Sequence, residues 1–391
     1  MLNLKQQDSE YIAGTYARFP VCIVKGKGSE VYDEEGKRYI DMGSGIGVTS
    51  FGIGDDAWVS AVTEQLAKVQ HMSNLYYTEP CAKLARILCE KSGMKKVFFA
   101  NSGAEANECV IKTARKYGSE HKGPEYTTII TLENSFHGRT VTTLAATGQE
   151  HYHELFQPLT PGFVHARAND MEGLKRLCEK HPVCAVMIEC VQGEGGVIAL
   201  NETYVKELYA FCQKNDILLI VDEVQTGNGR TGKIYAFQHF GIQPDLVSTA
   251  KGIGGGLPLG AALFGEKTQN VLGLGDHGST FGGNPIACAG AVSIMERMDE
   301  SFLDKVSEKA ELIRKTLTGK KGIVKLSGLG LMIGIQTVAP AKDVVAECMN
   351  RGVLCLTAKD KVRLLPALNI PNEVLSEALQ IICDVCAELG K

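Results

Sequence analysis

An aspartate and a lysine that each follow a short apolar run could form one chemical centre. Residues 217–221 are followed by Asp222, and residues 246–250 are followed by Lys251. Short apolar runs of this kind are typical of strands that are buried on both faces of a sheet. Open α/β sheets bind ligands beyond the carboxyl ends of their strands, so we expect the carboxylate and the amine to lie close together. Such a pair suits pyridoxal phosphate (PLP), which binds a lysine as a Schiff base and an acid at its pyridinium nitrogen.

Each of these two residues alone has a simpler explanation. An aspartate after a strand is more often a turn former, and a lysine is more often a solvated surface charge. The interpretation therefore depends on further residues that suit the same cofactor.

A candidate phosphate site lies where a predicted strand meets a predicted helix. Residues 97–100 indicate a strand, residues 101–104 (NSGA) indicate a tight turn, and Glu105 begins a helical stretch that runs to Ala114. Free N–H groups and the positive end of the dipole at a helix N-terminus bind anions. The turn lacks the G-K-[ST] of a P-loop, so a single phosphate ester fits better than a nucleotide. An ordinary capped helix is the alternative.

Two more predicted strands lead into polar segments. Residues 128–132 lead to Phe136, which could cover a planar ring, and to Arg139, which could bind a carboxylate through two parallel hydrogen bonds. Taken singly, the phenylalanine is more often a core residue and the arginine more often a surface residue. Residues 185–188 end at Glu189, and the glycine-rich segment VQGEGG follows.

Strands and helices alternate along the chain, and this order predicts an α/β fold. The periodic stretch 203–215 is interpreted as a crossover helix that leads back to the strand before Asp222. The order predicts a largely parallel, doubly wound sheet. The segments that follow Arg297 indicate a smaller α/β unit.

Composition narrows the class of protein. The 41 basic and 45 acidic residues give a formal net charge of −4, so neither nucleic acid nor an anionic membrane is expected as a partner. No apolar run approaches the ~20 residues of a membrane helix, and no signal peptide is predicted. Thirteen cysteines suggest a reducing cytoplasm rather than a disulfide scaffold. Cys383 and Cys386 share a predicted helix face, and we expect no metal site there.

Taken together, these segments resemble the class III, fold-type I PLP aminotransferases over nearly the whole chain. The motif DEVQTG with the later lysine is specific for that class, and the motifs SNLYYTEP and SFHGRT narrow the resemblance to the acetylornithine branch. The other motifs that carry it are GSGIGV, NSGAEAN, VQGEGGV, STAKGIGGGLPLGA, HGSTFGGNP and VRLLP. The chain departs from the family pattern at Cys190, where a proline is usual, and at residues 54–56, where histidines are usual. Neither departure touches a residue with an expected chemical role.

The resemblance implies roles for individual cofactor-binding residues. Lys251 would be the Schiff-base lysine, and Asp222 would be the partner of the pyridinium nitrogen. Gln225 would contact the ring hydroxyl and Phe136 would stack on the ring. The remaining cofactor-binding residues would be Gly103 and Ala104 at the phosphate, Glu223 and Val224 beside Asp222, and Thr280, which would reach the phosphate across a dimer interface.

The resemblance also implies how substrates are held. Arg139 would bind a substrate carboxylate and Ser279 would touch the substrate. Glu194 would pair with Arg363 while an ω-amine is bound, and would swing away when a 2-oxo acid or glutamate arrives. A structural ion pair that never opens is the alternative.

The implied fold and function follow from the same resemblance. A large PLP-binding domain would span residues 51–290, and residues 1–50 and 291–391 would form a small α/β domain from both chain ends. We expect a cytoplasmic homodimer that moves the distal amine of N2-acetyl-L-ornithine to 2-oxoglutarate, in arginine biosynthesis, by a ping-pong cycle.

Several alternatives stay open. Ornithine, succinylornithine, 4-aminobutyrate or acetyl-lysine could be the donor, although residues 44–46 (SGI) stand where ornithine aminotransferases have a tyrosine, which favours an acylated donor. A PLP aminomutase is a different class, and Gln225 with the GEGG segment argues against it. An inactive relative is the third possibility, and the intact set of Asp222, Lys251 and Arg139 argues against it.

Overall fold

A seven-stranded, mostly parallel sheet forms the centre of the molecule. The structure is a computed structural model and describes residues 3–390. Within these residues the strands are β1 (Ile23–Lys27), β2 (Glu30–Asp33), β3 (Arg38–Asp41), β4 (Lys96–Ala100), β5 (Thr128–Leu132), β6 (Phe163–Ala166), β7 (Val183–Ile188), β8 (Val191–Gln192), β9 (Ile198–Ala199), β10 (Leu218–Asp222), β11 (Leu246–Thr249), β12 (Gly260–Phe264), β13 (Ile323–Leu329), β14 (Met332–Thr337), β15 (Val353–Leu354), β16 (Leu356–Ala358) and β17 (Lys361–Leu364).

Helices connect these strands. Within the same residues they are α1 (Leu4–Tyr11), α2 (Ser44–Gly47), α3 (Asp56–Lys68), α4 (Glu79–Ser92), α5 (Gly103–His121), α6 (Val141–Ala146), α7 (Met171–Lys180), α8 (Glu202–Lys214), α9 (Pro285–Arg297), α10 (Glu300–Leu317), α11 (Ala341–Asn350) and α12 (Asn372–Leu389). Short 3-10 turns lie at Glu150–Tyr152, Ala236–Phe240 and Lys251–Ile253. None of the helices in residues 3–390 is both long and apolar enough to cross a membrane.

The central sheet has the strand order β4-β12-β11-β10-β7-β5-β6. Strand β10 pairs in parallel with β11 and β7, and β5 pairs in parallel with β7 and β6. Strand β12 runs antiparallel to both β11 and β4. The predicted α/β fold with a largely parallel sheet is confirmed.

Both faces of this sheet are covered, which explains its apolar strands. Leu218 and Ile220 of β10 pack in one cluster with residues of α5, whereas Leu219 and Val221 pack in another with residues of α4 and α8. Alternate residues of a strand point to opposite faces, so a strand covered on both sides needs an unbroken apolar run. This is why the run before Asp222 predicts a central strand.

Two smaller sheets lie outside the central one, and the first of them joins the two ends of the chain. One has the order β1-β2-β3-β15, in which β15 pairs in parallel with β3, and the other has the order β13-β14-β17-β16. A smaller α/β part that uses both ends of the chain is therefore present. The domain boundaries near residues 51 and 290 remain a prediction.

Candidate active site

The structure brings Asp222 and Lys251 into one cavity at the carboxyl edge of the central sheet. Asp222 is the last residue of β10, and Lys251 follows the neighbouring strand β11 by two residues. The cavity has a volume of about 600 Å³, which suits a small-molecule ligand. Lys251 has a left-handed backbone conformation with a φ of 49°, which is uncommon for a residue that carries a Cβ atom. Strain of this kind is concentrated at functional sites.

Three hydrogen-bond donors orient the carboxyl group of Asp222. Its Oδ2 atom accepts from Asn107 Nδ2 and from His137 Nδ1, each at 2.8 Å, and its Oδ1 atom accepts the N–H of Val224 at 2.9 Å. A carboxylate only accepts, so Nδ1 of His137 carries the proton. Sequence reasoning did not single out Asn107 or His137. The available signal was weak: His137 lies inside SFHGRT, and Asn107 lies one helical turn after Gly103.

The Lys251 side chain lines this cavity. Within residues 3–390 its amine has no hydrogen-bond partner. Burial lowers the pKa of Lys251, and the carboxylates of Glu194 and Asp222 oppose this effect without cancelling it. A lowered pKa raises the fraction of neutral amine, which is the form that attacks a carbonyl carbon.

The N-terminus of α5 opens into the same cavity. Gly103 and Ala104 are the first residues of this 19-residue helix, and the Ser102 hydroxyl accepts the N–H of Glu105 at 3.2 Å. The positive end of the helix dipole favours an anion at this position. A Cβ atom at Gly103 would lie 2.6 Å from Cγ1 of Val224, so only glycine fits. The amine, the carboxyl group and the helix N-terminus together match the aldehyde, the ring nitrogen and the phosphate of PLP.

Phe136 lies on the wall of the cavity, and Glu189 holds its backbone. Glu189 accepts the N–H of Phe136 at 2.8 Å with one carboxyl oxygen and the N–H of Gly193 at 3.3 Å with the other. Burial raises the pKa of Glu189 to about 7, although His137 opposes this shift. Sequence reasoning identified Glu189 only as the end of a strand. The structure adds it as the link between Phe136 and the GEGG segment.

Arg363, Glu194 and Gln225 form a polar cluster beside Lys251. Nη1 of Arg363 donates to Oε1 of Glu194 and, at 3.3 Å, to Oε1 of Gln225. Nε2 of Gln225 donates to the same Glu194 oxygen at 3.3 Å. Arg363 lies on β17 and is only 3% exposed, whereas Glu194 lies in the turn between β8 and β9, a hairpin that the sequence pattern did not predict.

The pair of Arg363 and Glu194 is charged. Burial acts to raise the pKa of Glu194, but Arg363, Lys251 and Gln225 together outweigh burial, and the pKa lies below its ordinary value. Both expected partners are therefore in contact, and the arginine is masked by the glutamate.

Arg139 and Val224 also line the cavity, but the side chain of Glu223 does not. The Glu223 carboxyl group points into the core, where it accepts from the Thr226 hydroxyl at 2.5 Å and from the N–H of Phe237 at 2.9 Å. Burial raises the pKa of Glu223 to about 7. The backbone of Glu223 is hydrogen-bonded as well: its N–H donates to the carbonyl of Ser248 at 2.8 Å, and its carbonyl accepts from the N–H of Gly227 at 3.0 Å.

Ser279 and Thr280 line a neighbouring cavity of about 450 Å³ rather than the one that contains Lys251. The two cavities are linked by Asn101, whose Nδ2 atom donates to Oγ of Ser279 at 3.2 Å. Leu75 and Tyr77 near this loop are 88% and 106% exposed. Within one chain, Thr280 is therefore not brought to the Lys251 cavity.

Comparisons with known proteins identify the family of this chain. The family model for class-III aminotransferases matches residues 11–386. An acetylornithine aminotransferase of Haemophilus ducreyi is 49% identical over 388 residues, which cover 99% of each chain. Among solved structures, N-acetylornithine aminotransferase from Stenotrophomonas maltophilia has a TM-score of 0.85 at 32% identity, covering 98% of this chain and 99% of its own. An ornithine aminotransferase from Toxoplasma gondii has a TM-score of 0.92 at 31% identity, covering 98% of this chain and 93% of its own. The chain belongs to the class-III aminotransferase family.

Proposed function

We propose that this aminotransferase moves the distal amine of N2-acetyl-L-ornithine to 2-oxoglutarate, with PLP as its cofactor. Acetylornithine aminotransferases are among its relatives at near-full coverage of both chains. The observation that carries the proposal is the closed pair of Arg363 with Glu194, next to the cavity that contains Lys251 and Asp222. A masked arginine suits a donor whose amine-bearing carbon has no carboxylate. The distal amine of acetylornithine is such a donor.

The residues of the cavity have separate roles in covalent attachment, proton transfer and binding. When bound, PLP supplies an aldehyde for the amine and a ring that accepts electrons from the carbon that loses a proton. Lys251 Nζ is the covalent anchor, and after its release it moves the proton from the substrate carbon. Asp222, oriented by Asn107 and His137, holds a proton at the ring nitrogen. Gly103 and Ala104 hold the phosphate through N–H groups of α5.

The other proposed cofactor contacts surround the ring. Phe136 covers one face, Gln225 binds the ring hydroxyl, and Val224 lies beside Asp222 on the cavity wall. Glu223 lies next to Asp222, but its carboxyl group and its backbone are hydrogen-bonded within the protein, so we assign it no direct contact with the ring.

Two arginines bind the carboxylates of the substrates in this proposal. Arg139 binds the carboxylate that lies far from the reacting amine, which both acetylornithine and 2-oxoglutarate possess. Arg363 is released from Glu194 only when the substrate carries a second carboxylate on the reacting carbon, as glutamate does. Ser279 lies on the same loop as Thr280, outside this chain's own Lys251 cavity, and would contact the substrate in the partner's site.

A panel of amine donors with 2-oxoglutarate tests the proposed substrate. We expect N2-acetylornithine to have a higher kcat/KM than ornithine, succinylornithine, 4-aminobutyrate or acetyl-lysine. The masked arginine suits all of these donors, and the similarity to acetylornithine aminotransferases favours the acetylated one. Turnover should require an added 2-oxo acid, which distinguishes amino transfer from an aminomutase. A higher kcat/KM for another donor in the purified PLP-loaded protein would assign that donor instead.

We place this reaction in the cytoplasm and in arginine biosynthesis. All thirteen cysteines are free thiols, and a reducing compartment keeps them so. The assignment to arginine biosynthesis depends on the acetylated donor.

We also propose that the enzyme acts as a homodimer in which Thr280 completes the partner's site. Its own Lys251 cavity does not include Thr280, and the loop around it carries the exposed side chain of Phe281. Leu75 and Tyr77 are exposed too, in the segment that Asn74 ties to this loop, and a group of exposed apolar side chains near a site indicates an interface. In a two-fold symmetric dimer, the loop of each chain would then reach the site of the other chain.

Mixed dimers of two impaired variants test this arrangement. Lys251→Ala and Thr280→Ala chains should each have low activity, but a heterodimer contains one site with both native residues. Random co-assembly should therefore restore about a quarter of the wild-type activity. Activity of the co-refolded mixture, measured with N2-acetylornithine and 2-oxoglutarate, is the readout.

The matched control replaces the first chain with the double variant Lys251→Ala, Thr280→Ala. No heterodimer site then has both native residues, so activity should stay low. Recovery in this control, or a fully active monomer in sedimentation, would contradict the shared site.

A further inference from the structure

Arg139 reaches the cavity with an unusual set of neighbours. It is exposed, and within residues 3–390 no side chain or carbonyl accepts a hydrogen bond from its guanidinium group. The guanidinium carbon instead lies 4.3 Å from the ring centroid of Tyr152 and 5.6 Å from that of Phe136. The two rings meet edge to face, with centroids 5.8 Å apart and planes at 67°. Arg139 therefore lies in a corner made of two aromatic rings.

An aromatic corner and an acidic partner hold an arginine in different ways. A carboxylate accepts hydrogen bonds from the guanidinium group, as Glu194 does from Nη1 of Arg363. A ring attracts the cation through its face and leaves all five N–H groups free. The site thus contains one arginine that is masked and one that is held open for a carboxylate.

The turn that carries Tyr152 is anchored on both sides. Before it, the buried side chain of Gln149 donates from Nε2 to the carbonyl of Ser135 at 3.0 Å. After it, Nε2 of His153 donates to the carbonyl of Leu144 at 2.9 Å. Ser135 directly precedes Phe136, so the turn is tied to the same loop that carries Arg139. Tyr152 is therefore fixed relative to the cavity, as a positioning residue must be.

We propose that Tyr152 is a positioning residue that holds Arg139 ready for the distal carboxylate of the substrate. The inference rests on the proposed function, in which Arg139 binds that carboxylate. Without the ring, the long arginine side chain has to be ordered when the substrate binds, and binding weakens accordingly.

Ring-deleting and ring-keeping variants of Tyr152 test the proposal in the PLP-loaded protein. We expect Tyr152→Leu to bind glutarate, an unreactive dicarboxylate, about 3- to 10-fold more weakly in calorimetry. The ratio of kcat/KM for 2-oxoglutarate to that for 2-oxobutyrate, which lacks the distal carboxylate, should fall by the same factor. Tyr152→Phe keeps the ring and should stay close to the wild type in both measurements.

The control variant is Tyr126→Leu. Lys122 lies over the ring of Tyr126 at 4.9 Å, so this change removes a comparable cation–π contact outside the Lys251 cavity. It should leave glutarate binding and the acceptor ratio unchanged. A thermal melting curve for each variant reports folding, and Tyr152→Gln serves as a second ring-free variant if the leucine variant melts early.

Three results with the variants would overturn the inference. They are equal losses with both acceptors, a Tyr152→Phe variant as impaired as Tyr152→Leu, and ring-free variants that keep the wild-type ratio. If the wild type itself transfers amines to 2-oxoglutarate and 2-oxobutyrate equally well, the proposed role of Arg139 fails, and the inference fails with it. If the wild type prefers 2-oxoglutarate and the ring-free variants do too, only the role of Tyr152 fails.

Discussion

Replacing Lys251 with alanine is expected to lower the rate of amino transfer by about three orders of magnitude or more. Lys251 is the only lysine that lines the Asp222 cavity within residues 3–390, so no other amine can take over its role there. Borohydride reduction followed by peptide mass spectrometry should find PLP fixed on Lys251 in the wild type and on no lysine in the variant. The steady-state rate with N2-acetylornithine and 2-oxoglutarate gives the size of the loss.

The loss should be catalytic and not a loss of folding. The Lys251 amine is desolvated and has no hydrogen-bond partner, so its removal should leave the melting temperature of the PLP-free protein unchanged or slightly higher. Lys267→Ala is the control, because Lys267 is a surface lysine 3.4 Å from Asp216 and lies outside the cavity. PLP fixed on any lysine other than Lys251 would overturn the central assignment.

The sheet and the position of its chemical edge could be predicted because they depend on simple patterns. A strand buried on both faces needs an unbroken apolar run, and a polar residue that ends such a run lies at the sheet edge. Both conditions hold at Asp222, and the neighbouring strand carries Lys251 to the same edge. These positions follow from the strand pattern alone.

The residues around Asp222 could not be predicted in this way, because their placement depends on loops. His137 reaches Asp222 from a loop in which Asn134 has a left-handed conformation, with a φ of 66°. No periodicity specifies how such a loop turns. Asn107 lies on a helix, but which face of α5 meets β10 depends on tertiary packing.

The direction of side chains at a strand end was the other feature that could not be predicted from the sequence. Asp222 and Glu223 are adjacent, and both were expected at the cofactor. Asp222 faces the cavity, whereas the Glu223 carboxyl group is bonded to Thr226 and Phe237 in the core. Neighbouring residues at a strand end point in opposite directions, so only one of two adjacent acids can reach the ligand with its side chain.

The contact between Tyr152 and Arg139 could not be predicted from any sequence motif. Tyr152 lies in a short 3-10 turn, and its relation to Arg139 comes from hydrogen bonds that tie that turn to the loop before Phe136. The separation of Arg139 and Tyr152 in the sequence does not indicate that the two side chains are in contact. Structure was needed to distinguish a free surface arginine from one held by rings.

Replacing Glu194 with alanine is expected to change the choice of amine rather than simply lower the rate. The change exposes Arg363, which is 3% exposed and would keep only the 3.3 Å hydrogen bond to Gln225. A free arginine suits glutamate, whose reacting carbon carries a carboxylate, but it lies desolvated and unpaired against acetylornithine. The half-reaction efficiency should therefore rise for glutamate and fall for N2-acetylornithine, each by about 10- to 100-fold.

Stopped-flow half-reactions of the PLP-loaded variant with each amine alone measure this change. Glu194→Gln keeps the shape of the side chain and an oxygen that can accept from Arg363, but it lacks the charge, so its preference should lie between those of the wild type and the alanine variant. Glu30→Ala is the control for ion pairs in general, because Glu30 pairs with Arg38 outside the cavity, and it should not alter the preference. Equal losses with both amines would mean that the Arg363–Glu194 pair is structural. Opposite changes would mean that Glu194 determines when the arginine is available, which lets one cavity accept two amines that differ by a carboxylate.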